Sequence, residues 1–392
     1  MPNIRLGDVL KVKHGFGFPG SQFSDDPALP TIVTPGNFAV GGGFRETKAK
    51  TFNGDFPSEF VLEAGALVIT MTDLSKAGDT LGLPARIPLS GTYLHNQRIG
   101  LVQVTDVERI DLGFLHYFLR TDGYRAHILG TASGSTVRHT SPSRIEDFVA
   151  TVANVDQQRA IADVLSALDD KIDANDRELV AAEALMVALA GRSRQVTKVS
   201  ALAAQSTRAI KPTEFPERVA LFSLPAFDDF KLPEDAKNDS IKSSKFLLSE
   251  PCVLMSKLNP RIPRIWDIGA LTETVSVAST EFAVLVPRST SSALLWAVLS
   301  APSVSTQLEG LVAGTSGSHQ RVRPAEMLDV DVPDPRSLDD PTKDSVTALG
   351  ALAQSRRLES QQLARTRDEL LPLLMSGTVR VKGAEKSVEG VL

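Results

Sequence analysis

Residues 161–189 read IADVLSALDDKIDANDRELVAAEALMVAL, and apolar side chains recur along them at alternating steps of four and three residues. This spacing is a heptad repeat, which places its apolar positions on one face of a long helix. The repeat positions are Ile161, Leu165, Leu168, Ile172, Asn175, Leu179, Ala182, Met186 and Leu189. A seam of this length predicts a helix that packs against a partner helix.

The C-terminal part of the chain carries the candidate partner. There Leu349 and four further leucines keep the heptad spacing, although Arg356 and Glu359 interrupt it. We predict that the two helices pair as an antiparallel coiled coil, because both are much longer than one domain face requires. The predicted pairing residues are Leu165, Leu168, Ile172, Asn175, Leu179, Met186, Leu352, Leu363, Leu370 and Leu373. The alternative is that each helix packs only on its own domain.

The composition is typical of a soluble globular protein. The chain has 392 residues, of which 42% are hydrophobic and 23% charged, and this length suits two or more domains. No apolar run approaches the roughly 20 residues of a membrane-spanning helix, and the start MPNIRLGD lacks a signal-peptide profile, so we expect a cytoplasmic location. One cysteine and six scattered histidines predict neither a disulfide nor a metal site.

Features of the first half recur in the same order in the second half. FLHYFLR at 114–120 is followed by the hydroxyl-rich loop SGSTVRHTS at 133–141 and by IEDFV at 145–149. LLWAVL at 294–299 is followed by TSGSHQRVRP at 315–324 and by MLDVDVP at 327–333. Matching features lie about 180 to 186 residues apart, which indicates an internal pseudo-twofold repeat.

Each repeat is predicted to be a mixed α/β (α+β) domain followed by a long helix. Short segments rich in β-branched residues predict strands at 66–71, 98–104, 252–256 and 281–286. The predicted division is a first domain at 1–155, a spacer helix at 156–191, a second domain at 192–340, a second spacer helix at 341–378 and a tail at 379–392.

The net charge of −5 argues against a nucleic-acid partner unless basic residues cluster locally. Much of the acid lies on the first long helix, whereas the loops of both domains are basic. The basic loop residues are Arg120, Arg125, Arg138, His139 and Arg144 in the first domain and Lys257, Arg261, Arg264, Arg321 and Arg323 in the second. Two basic loop regions predict two footprints on a polyanion.

The hydroxyl-rich loops are candidates for DNA contacts. Their hydroxyl groups can donate to phosphate oxygens, and Arg138 can bind a phosphate or a base edge. The predicted contacts are Ser133, Ser135, Thr136, Arg138, His139, Ser316, Ser318, His319 and Arg321. The alternative is a plain turn whose hydroxyl groups bond to their own backbone.

Three further segments, MTDLSK at 71–76, HNQR at 95–98 and SKLNPRIPR at 256–264, carry side chains that suit base edges. Asn and Gln suit adenine, and Arg and Lys suit guanine. The candidates are Asp73, Lys76, Asn96, Gln97, Arg98, Ser256, Lys257, Asn259, Arg261 and Arg264. Each of them is also compatible with an ordinary surface hydrogen bond.

Catalytic motifs are not supported. GFGFPG at 15–20 matches G-x-G-x-x-G formally, but Pro19 and the lack of a clear helix behind it favour a β-turn. The phosphate-binding motif G-x-x-x-x-G-K-[ST] does not occur. The amino-methyltransferase signature, Asn or Asp followed by two prolines and an aromatic residue, fails at Asn259-Pro260-Arg261. We therefore predict no catalytic and no metal-binding residue.

The order of GSTVRHTS before IEDF, of LSALDDKIDAN at 165–175 and of LLPLLMSG at 370–377 resembles the specificity (S) subunit of type I restriction-modification systems over nearly the whole chain. The resemblance implies two target-recognition domains, each reading one half of a split double-stranded DNA site. It also implies that the two helices separate these domains and seat two methyltransferase (M) subunits, with restriction (R) subunits joining through the complex. S-adenosylmethionine, ATP and magnesium are then expected on the partner subunits, and no membrane partner is expected.

Three function classes follow from the sequence. The first is a non-catalytic DNA-recognition subunit. The second is a self-contained DNA-modifying enzyme with an unrecognised active site. The third is a repeat scaffold that binds protein partners.

Overall fold

The structure is a computed structural model, and it describes residues 3–46, 50–229, 231–271, 273–311 and 320–384. The chain divides into two compact units. Unit 1 comprises Met1–Asp169 and Arg365–Leu392, and unit 2 comprises Asp170–Ala364. Each unit is a mixture of helices and sheets.

Unit 1 contains a four-stranded sheet of order β2-β11-β7-β9 and a five-stranded sheet of order β3-β5-β4-β10-β6. Two further strand pairs are β1-β13 and β12-β8. The strands are β1 Asn3–Arg5, β2 Leu10–His14, β3 Phe23–Ser24, β4 Thr31–Val33, β5 Lys50–Phe52, β6 Val61–Leu62, β7 Leu67–Thr70, β8 Thr72–Asp73, β9 Pro84–Arg86, β10 Tyr93–His95, β11 Ile99–Val104, β12 Arg138–His139 and β13 Val149–Thr151.

Three short helices complete the domain of unit 1: α1 Leu112–Phe118, α2 Asp122–Thr131 and α3 Pro142–Glu146. Capping side chains define where two of them begin. The carboxylate of Asp111 accepts from the Phe114 amide at 2.8 Å, and Ser141 caps α3 in front of a proline in its first turn. Buried aromatic residues of α1 and α2, such as Phe114 and Tyr124, anchor these helices in the core.

Unit 2 contains a four-stranded sheet of order β15-β23-β20-β21, a five-stranded sheet of order β16-β19-β22-β17-β18 and the pair β14-β24. Its strands are β14 Val196–Lys198, β15 Ala203–Ser206, β16 Ala209–Ile210, β17 Arg218–Phe222, β18 Glu234–Lys237, β19 Lys245–Leu248, β20 Cys252–Ser256, β21 Ile265–Ile268, β22 Ser276–Ala278, β23 Phe282–Pro287 and β24 Asp331–Pro333. Its short helices are α5 Val199–Leu202, α6 Leu224–Asp229, α7 Ser292–Leu299, α8 Pro302–Leu311 and α9 Pro324–Leu328.

The four sequence segments that predicted strands all form strands of the two four-stranded sheets, as β7, β11, β20 and β23. Every residue of β7 and of β20 is buried. Fully buried strands lack the alternation of polar and apolar residues, which explains their continuous apolar runs. These two strands form the interior of each domain, and the loops that follow them carry the candidate contact residues.

Two long helices, α4 (Val155–Ala190) and α10 (Asp340–Met375), pass through the boundary between the units, so each unit contains part of both. Within unit 1, Arg367 donates to Asp169 at 2.6 Å. Within unit 2, Lys171 pairs with Glu359 at 3.4 Å, and a Cβ on Gly350 would lie 3.4 Å from the Cε of Met186. Residue numbers rise along α4 as they fall along α10 in these contacts.

The heptad positions of α4 are mostly packed: Leu165, Leu168, Asn175 and Met186 are buried, and Ile172 and Leu179 are half-buried. In α10, Leu363 and Leu370 are buried and Leu352 is half-buried, but Leu373 is 38% exposed. The buried positions of α10 are Thr342, Val346, Gly350, Ala353, Ser360, Leu363, Leu370, Leu371 and Leu374.

The packed face of α10 therefore includes Ala353 and Leu374, the neighbours of Leu352 and Leu373. At position 353 the packed residue is alanine. A small residue allows a close approach of the helix to its neighbour, and a search for large apolar side chains misses it. A Cβ on Gly350 would lie only 2.7 Å from the Cβ of Ala293 on α7. Within the described residues, none of the helices is long and apolar enough to cross a membrane.

Replacing Asp169 with Asn is expected to destabilise the protein by at most about 3–5 kcal/mol, because it leaves the guanidinium groups of Arg367 and Arg120 with only the exposed carboxylate of Asp368 as a counter-charge. Burial alone would raise the pKa of Asp169, but Arg367, Tyr117 and Arg120 outweigh it and hold the pKa below its usual value. The stabilisation is thus complete above the unfolded-state pKa of about 3.9 and is lost as the pH falls through the lower folded-state pKa. Urea unfolding at a series of acidic pH values measures both effects.

The matched control is Asp340→Asn. Asp340 pairs with Lys343 at 3.1 Å, but its side chain is 89% exposed, so its loss should change the stability by no more than about 0.5 kcal/mol. Equal destabilisation by the two substitutions contradicts a structural role for the Asp169 pair.

Candidate nucleic-acid interface

Three segments of unit 1 that are distant in sequence meet at Met71, the residue after β7. The Met71 amide donates to the carbonyl of Arg98 at 2.8 Å, and the Thr140 amide donates to the carbonyl of Met71 at 3.0 Å. Beside this junction β8 pairs with β12, so that Asp73 lies opposite Arg138. The structure therefore brings together residues 71–76, 96–98 and 133–141, and we call this group the unit 1 cluster.

The hydroxyl-rich loop of the unit 1 cluster is a closed turn. Ser133 and His139 exchange two backbone hydrogen bonds of 3.0 and 2.8 Å. Gly134 has φ +91, and a Cβ there would lie 2.0 Å from the Val137 carbonyl oxygen, so only glycine fits. Ser135 and Thr136 are exposed in the turn. The turn interpretation thus describes the backbone, while DNA contact by the exposed hydroxyl groups stays a prediction.

Basic side chains of this cluster differ in how they are held. Arg144 donates to the Ser133 hydroxyl at 3.1 Å and to the His139 carbonyl at 3.3 Å, and Arg138 donates to the Lys76 carbonyl at 3.3 Å. The side chain of His139 is exposed, and its Nδ1 lies 3.2 Å from the Thr72 hydroxyl. The exposed cationic surface is completed by Lys76 and by Arg98, which stands beside the exposed Gln97.

Two predicted contact residues, Asp73 and Asn96, form hydrogen bonds within their own loops and stabilise the loop conformation. Asp73 is only 5% exposed, and its carboxylate accepts four hydrogen bonds of 2.5 to 3.1 Å from Ser75, Thr80 and Leu81. Burial alone would raise the pKa of Asp73, but the hydrogen bonds from Ser75 and Thr80 outweigh it and lower the pKa. Asn96, also 5% exposed, accepts from the Arg98 amide at 3.0 Å.

Two arginines assigned to basic loops from the sequence bind acceptors within unit 1 instead: the Arg120 side chain is buried and Arg125 is half-buried. Arg125 donates to the Gly78 carbonyl at 2.9 Å and to the Leu81 carbonyl, and so braces the loop that Asp73 shapes. The side chain of Arg120 is 7% exposed and lies 3.9 Å from the Asp169 carboxylate. Long basic side chains on helices can reach buried acceptors, which a charge pattern does not show.

The motif GFGFPG at 15–20 packs against the 96–98 turn and stabilises it. Phe16 donates to the His95 carbonyl at 2.8 Å and accepts from the Gln97 amide at 3.0 Å. A Cβ on Gly15 would lie 2.3 Å from the Asn96 carbonyl oxygen, so a larger residue cannot occupy this position without moving the turn. The sequence reading missed this role, for which glycine between polar and aromatic residues was the available signal.

Unit 2 contains a junction of the same kind at Lys257, the residue after β20. The Lys257 amide donates to the Glu281 carbonyl at 2.9 Å, and the Val322 amide donates to the Lys257 carbonyl at 3.0 Å. Asn259 donates to the Gln320 carbonyl at 3.0 Å. Residues 256–264, 281 and 320–323 thus meet, and we call them the unit 2 cluster. The predicted contacts Ser316, Ser318 and His319 lie outside the described residues.

Side chains of the unit 2 cluster are more fully engaged. Arg264 donates to both carboxylate oxygens of Asp228 at 2.7 and 2.9 Å, and Arg321 contacts both oxygens of Glu281 at 3.1 Å. Ser256 is 7% exposed and accepts from the Leu258 amide at 3.1 Å.

Other residues of the unit 2 cluster lie closer to its surface. Lys257 is half-buried over the ring of Phe246, and burial lowers its pKa. Asn259 is half-buried with φ +49, a left-handed conformation that Asn tolerates better than most residues. Arg261 is exposed.

The described residues do not form a recognisable catalytic centre. Among the residues that the structure describes, no group of three His, Cys, Asp or Glu side chains could hold a metal ion. Burial raises the pKa of the Cys252 thiol to about 12, which keeps it protonated and poorly nucleophilic at neutral pH. A cavity of about 470 Å³ in unit 2 is lined by Asp267, Ser291 and Gln354 among others, and burial raises the pKa of Asp267.

A known protein shares this architecture. The crystal structure of the S subunit of a type I restriction-modification system from M. genitalium is similar to this chain with a TM-score of 0.58 and 13% sequence identity, over 95% of this chain and 96% of that one. This is the fold of a type I restriction-modification S subunit.

Two further solved structures align with this S-subunit fold at lower TM-scores. The HsdS subunit from Thermoanaerobacter tengcongensis has a TM-score of 0.34 and 14% identity, over 96% of this chain and 97% of that one. A structure described as showing complex assembly and conformational transition of the type I R-M system has a TM-score of 0.32 and 15% identity, over 100% and 98%. No protein-family model and no curated protein matches the sequence.

Replacing Asp73 with Asn is expected to loosen residues 73–81 of the unit 1 cluster, because an amide presents N–H groups to the donors of Thr80 and Leu81. The cost is about 1–3 kcal/mol for each buried donor left unpaired. Hydrogen exchange of the Thr80 and Leu81 amides measures the effect. In the unmodified protein their protection should fall as the pH drops through the lowered pKa of Asp73.

The control is Asp79→Asn in the same loop, because the Asp79 side chain is exposed. Equal protection of Thr80 in the unmodified protein and in the Asp73→Asn variant contradicts the role given to Asp73.

Proposed function

We propose that this chain is the DNA-recognition subunit of a type I restriction-modification complex. The observation that carries the proposal is the junction found in each unit, where loops predicted from sequence to bind DNA are joined through main-chain hydrogen bonds at Met71 and at Lys257. The S-subunit fold agrees with it. In this proposal, the unit 1 cluster and the unit 2 cluster each bind one half of a bipartite double-stranded target.

The two target-recognition domains are copies of one plan in this proposal. Both units have a four-stranded and a five-stranded sheet, and a central strand pairs antiparallel with two neighbours in each: β11 with β2 and β7, and β23 with β15 and β20. Helices α3 and α9 begin with Pro142 and Pro324 directly after the two clusters. These matches support an internal pseudo-twofold repeat, with domains at 1–155 and 192–340.

The long helices act as a spacer in this proposal, pairing as an antiparallel coiled coil. The contacts Asp169–Arg367, Lys171–Glu359 and Met186–Gly350 support that orientation. The spacer sets the gap between the two half-sites and seats two M subunits, one on each domain-helix unit, through which R subunits join in the cytoplasm. The pseudo-twofold repeat then matches the symmetry of a split site.

In this proposal the partner subunits carry out the catalytic reactions. The M subunits bind S-adenosylmethionine and transfer the methyl group, and ATP and magnesium serve the R subunits. The chain described here supplies recognition only. The net charge of −5 is compatible with this role, because much of the acid lies on α4, whereas both clusters contain basic residues.

The role of the unit 1 cluster is tested by a double substitution, Arg138→Ala with His139→Ala. It should weaken binding through the first half-site only. Each lost phosphate contact lowers the salt slope by about 1 for all sequences, whereas a lost base contact relaxes specificity at one position by about 1–3 kcal/mol. Fluorescence anisotropy at several salt concentrations separates these cases, using duplexes with the target found by methylation mapping.

The control is Arg109→Ala, an exposed arginine of unit 1 outside the cluster. Unchanged affinity and salt slope in the double variant count against DNA contact by the loop.

The spacer role is tested by inserting four residues at matching points of both long helices, after Asn175 and after Glu359. The insertion adds about 6 Å and about 40° beyond one full turn. At about 3.4 Å per base pair, the preferred gap should lengthen by one or two base pairs while both half-sites stay unchanged. Methylation mapping of cells that express the variant with its M subunits reads the gap directly.

An insertion in one helix alone should abolish activity, because the seams no longer face each other. A doubly inserted protein with the original gap rules out the spacer role, and a singly inserted protein with normal activity rules out helix pairing.

A further inference from the structure

Arg98 and Glu281 occupy matching positions in the two units but carry opposite charges. The Arg98 carbonyl accepts from Met71, and the next residue begins β11; the Glu281 carbonyl accepts from Lys257, and the next residue begins β23. Both side chains therefore leave the sheet at the same point of the junction. An acidic residue at this point is unexpected in a surface that binds a polyanion.

A second pair of positions also matches. His139 directly precedes Thr140, whose amide donates to Met71 at 3.0 Å, and Arg321 directly precedes Val322, whose amide donates to Lys257 at 3.0 Å. In unit 2 the Arg321 guanidinium contacts both oxygens of the Glu281 carboxylate at 3.1 Å. The Glu281 side chain is 31% exposed and that of Arg321 is 56% exposed, so the pair lies at the surface of the cluster.

A carboxylate facing phosphate groups is repelled, so it is compatible with DNA binding only where it meets a group that donates to it. In the major groove the exocyclic amines of cytosine and adenine both donate. Adenine also presents its N7 acceptor beside the amine, which repels a carboxylate, so Glu and Asp pair with the N4 amine of cytosine. Arg321 fits this arrangement, because it donates to Oε1 of Glu281 at 3.1 Å and so orients the carboxylate and offsets its charge. The other oxygen, Oε2, is buried and accepts no hydrogen bond within the described residues.

We propose that Glu281 is a specificity-determining residue of unit 2 that accepts a hydrogen bond from the N4 amine of a cytosine. Arg321 is its positioning residue. The inference rests on the proposed function and deepens it. It adds a residue that base-edge reasoning on the loops did not select, because Glu281 directly precedes the apolar strand β23.

The alternative is an ordinary surface ion pair. Such a pair contributes about 0–1 kcal/mol to stability and carries no sequence information. The two possibilities predict different changes in DNA affinity and in base discrimination when the carboxylate is removed. Removing the charge of a base-reading carboxylate should raise affinity for unrelated DNA while lowering discrimination at one base pair, and loss of a structural ion pair does neither.

The test is Glu281→Gln in the full chain, expressed with its M subunits, followed by methylation mapping of the host DNA. We expect the unmodified complex to methylate a bipartite motif. In the variant, one C·G position in one half-site should become degenerate, with a loss of discrimination of about 5- to 150-fold, while the other half-site and the gap are kept. The intact first half-site, read by unit 1, reports that the variant is folded.

Two matched variants complete the experiment. Arg98→Gln, at the matching position of unit 1, should alter only the opposite half-site. Glu217→Gln removes an exposed carboxylate of unit 2 outside the cluster and should leave the motif unchanged. Arg321→Gln should weaken discrimination at the same base pair as Glu281→Gln without replacing the preferred base.

An unchanged motif in Glu281→Gln overturns the inference, and so does relaxation at an A·T position. Uniform weakening at all sequences, without loss of discrimination, also overturns it. These outcomes are distinct from failure of the proposed function, in which the unmodified complex itself yields no bipartite motif.

Discussion

Main-chain hydrogen bonds at the residue following a buried strand organise both candidate surfaces. In unit 1 the amide and carbonyl of Met71 hold the 96–98 turn on one side and the hydroxyl-rich loop on the other. Lys257 does the same in unit 2. Because β7 and β20 are buried along their whole length, the junctions that follow them are attached directly to the rigid core. The loops are long, yet each is attached to the core close to its candidate contact residues.

Buried charges have a comparable role in the long helices. Asp169 in unit 1 receives hydrogen bonds from Arg367 and Tyr117, and Glu183 in unit 2 meets Arg357 and Lys231. In the sequence both acids belong to the first long helix, which carries much of the acid of the chain. The structure engages them internally, where a wrong helix register would leave a charge without a partner.

The predictable parts of the structure are those encoded by local pattern. The heptad spacing located a helix at 156–191, where the structure has Val155–Ala190, and continuous β-branched runs located four central strands. The pairing of Thr72–Asp73 with Arg138–His139 depends on tertiary contact between two-residue strands, which no local pattern reveals. In α10 the packed positions include Gly350 and Ala353. The prediction considered only large apolar residues and therefore selected the neighbouring positions, Leu349 and Leu352.

For the candidate surfaces, the structure brings the predicted segments together, but two of the predicted side chains bond within their own loops. Asp73 and Asn96 were chosen as possible base contacts, but each bonds to amides two residues ahead, the pattern of an Asx turn. That pattern was visible in DLS at 73–75 and NQR at 96–98. The matching of Arg98 with Glu281 required the main-chain junctions, which only the fold supplies.

Attachment through the backbone also bears on how such a protein changes over generations. The bonds at Met71 and Lys257 involve amides and carbonyls, so any amino acid other than proline can make them. Exposed side chains such as Lys76, Gln97 and His139 can therefore be exchanged with little penalty in folding. Single substitutions can thus change the surface chemistry of each cluster while the scaffold beneath it stays constant.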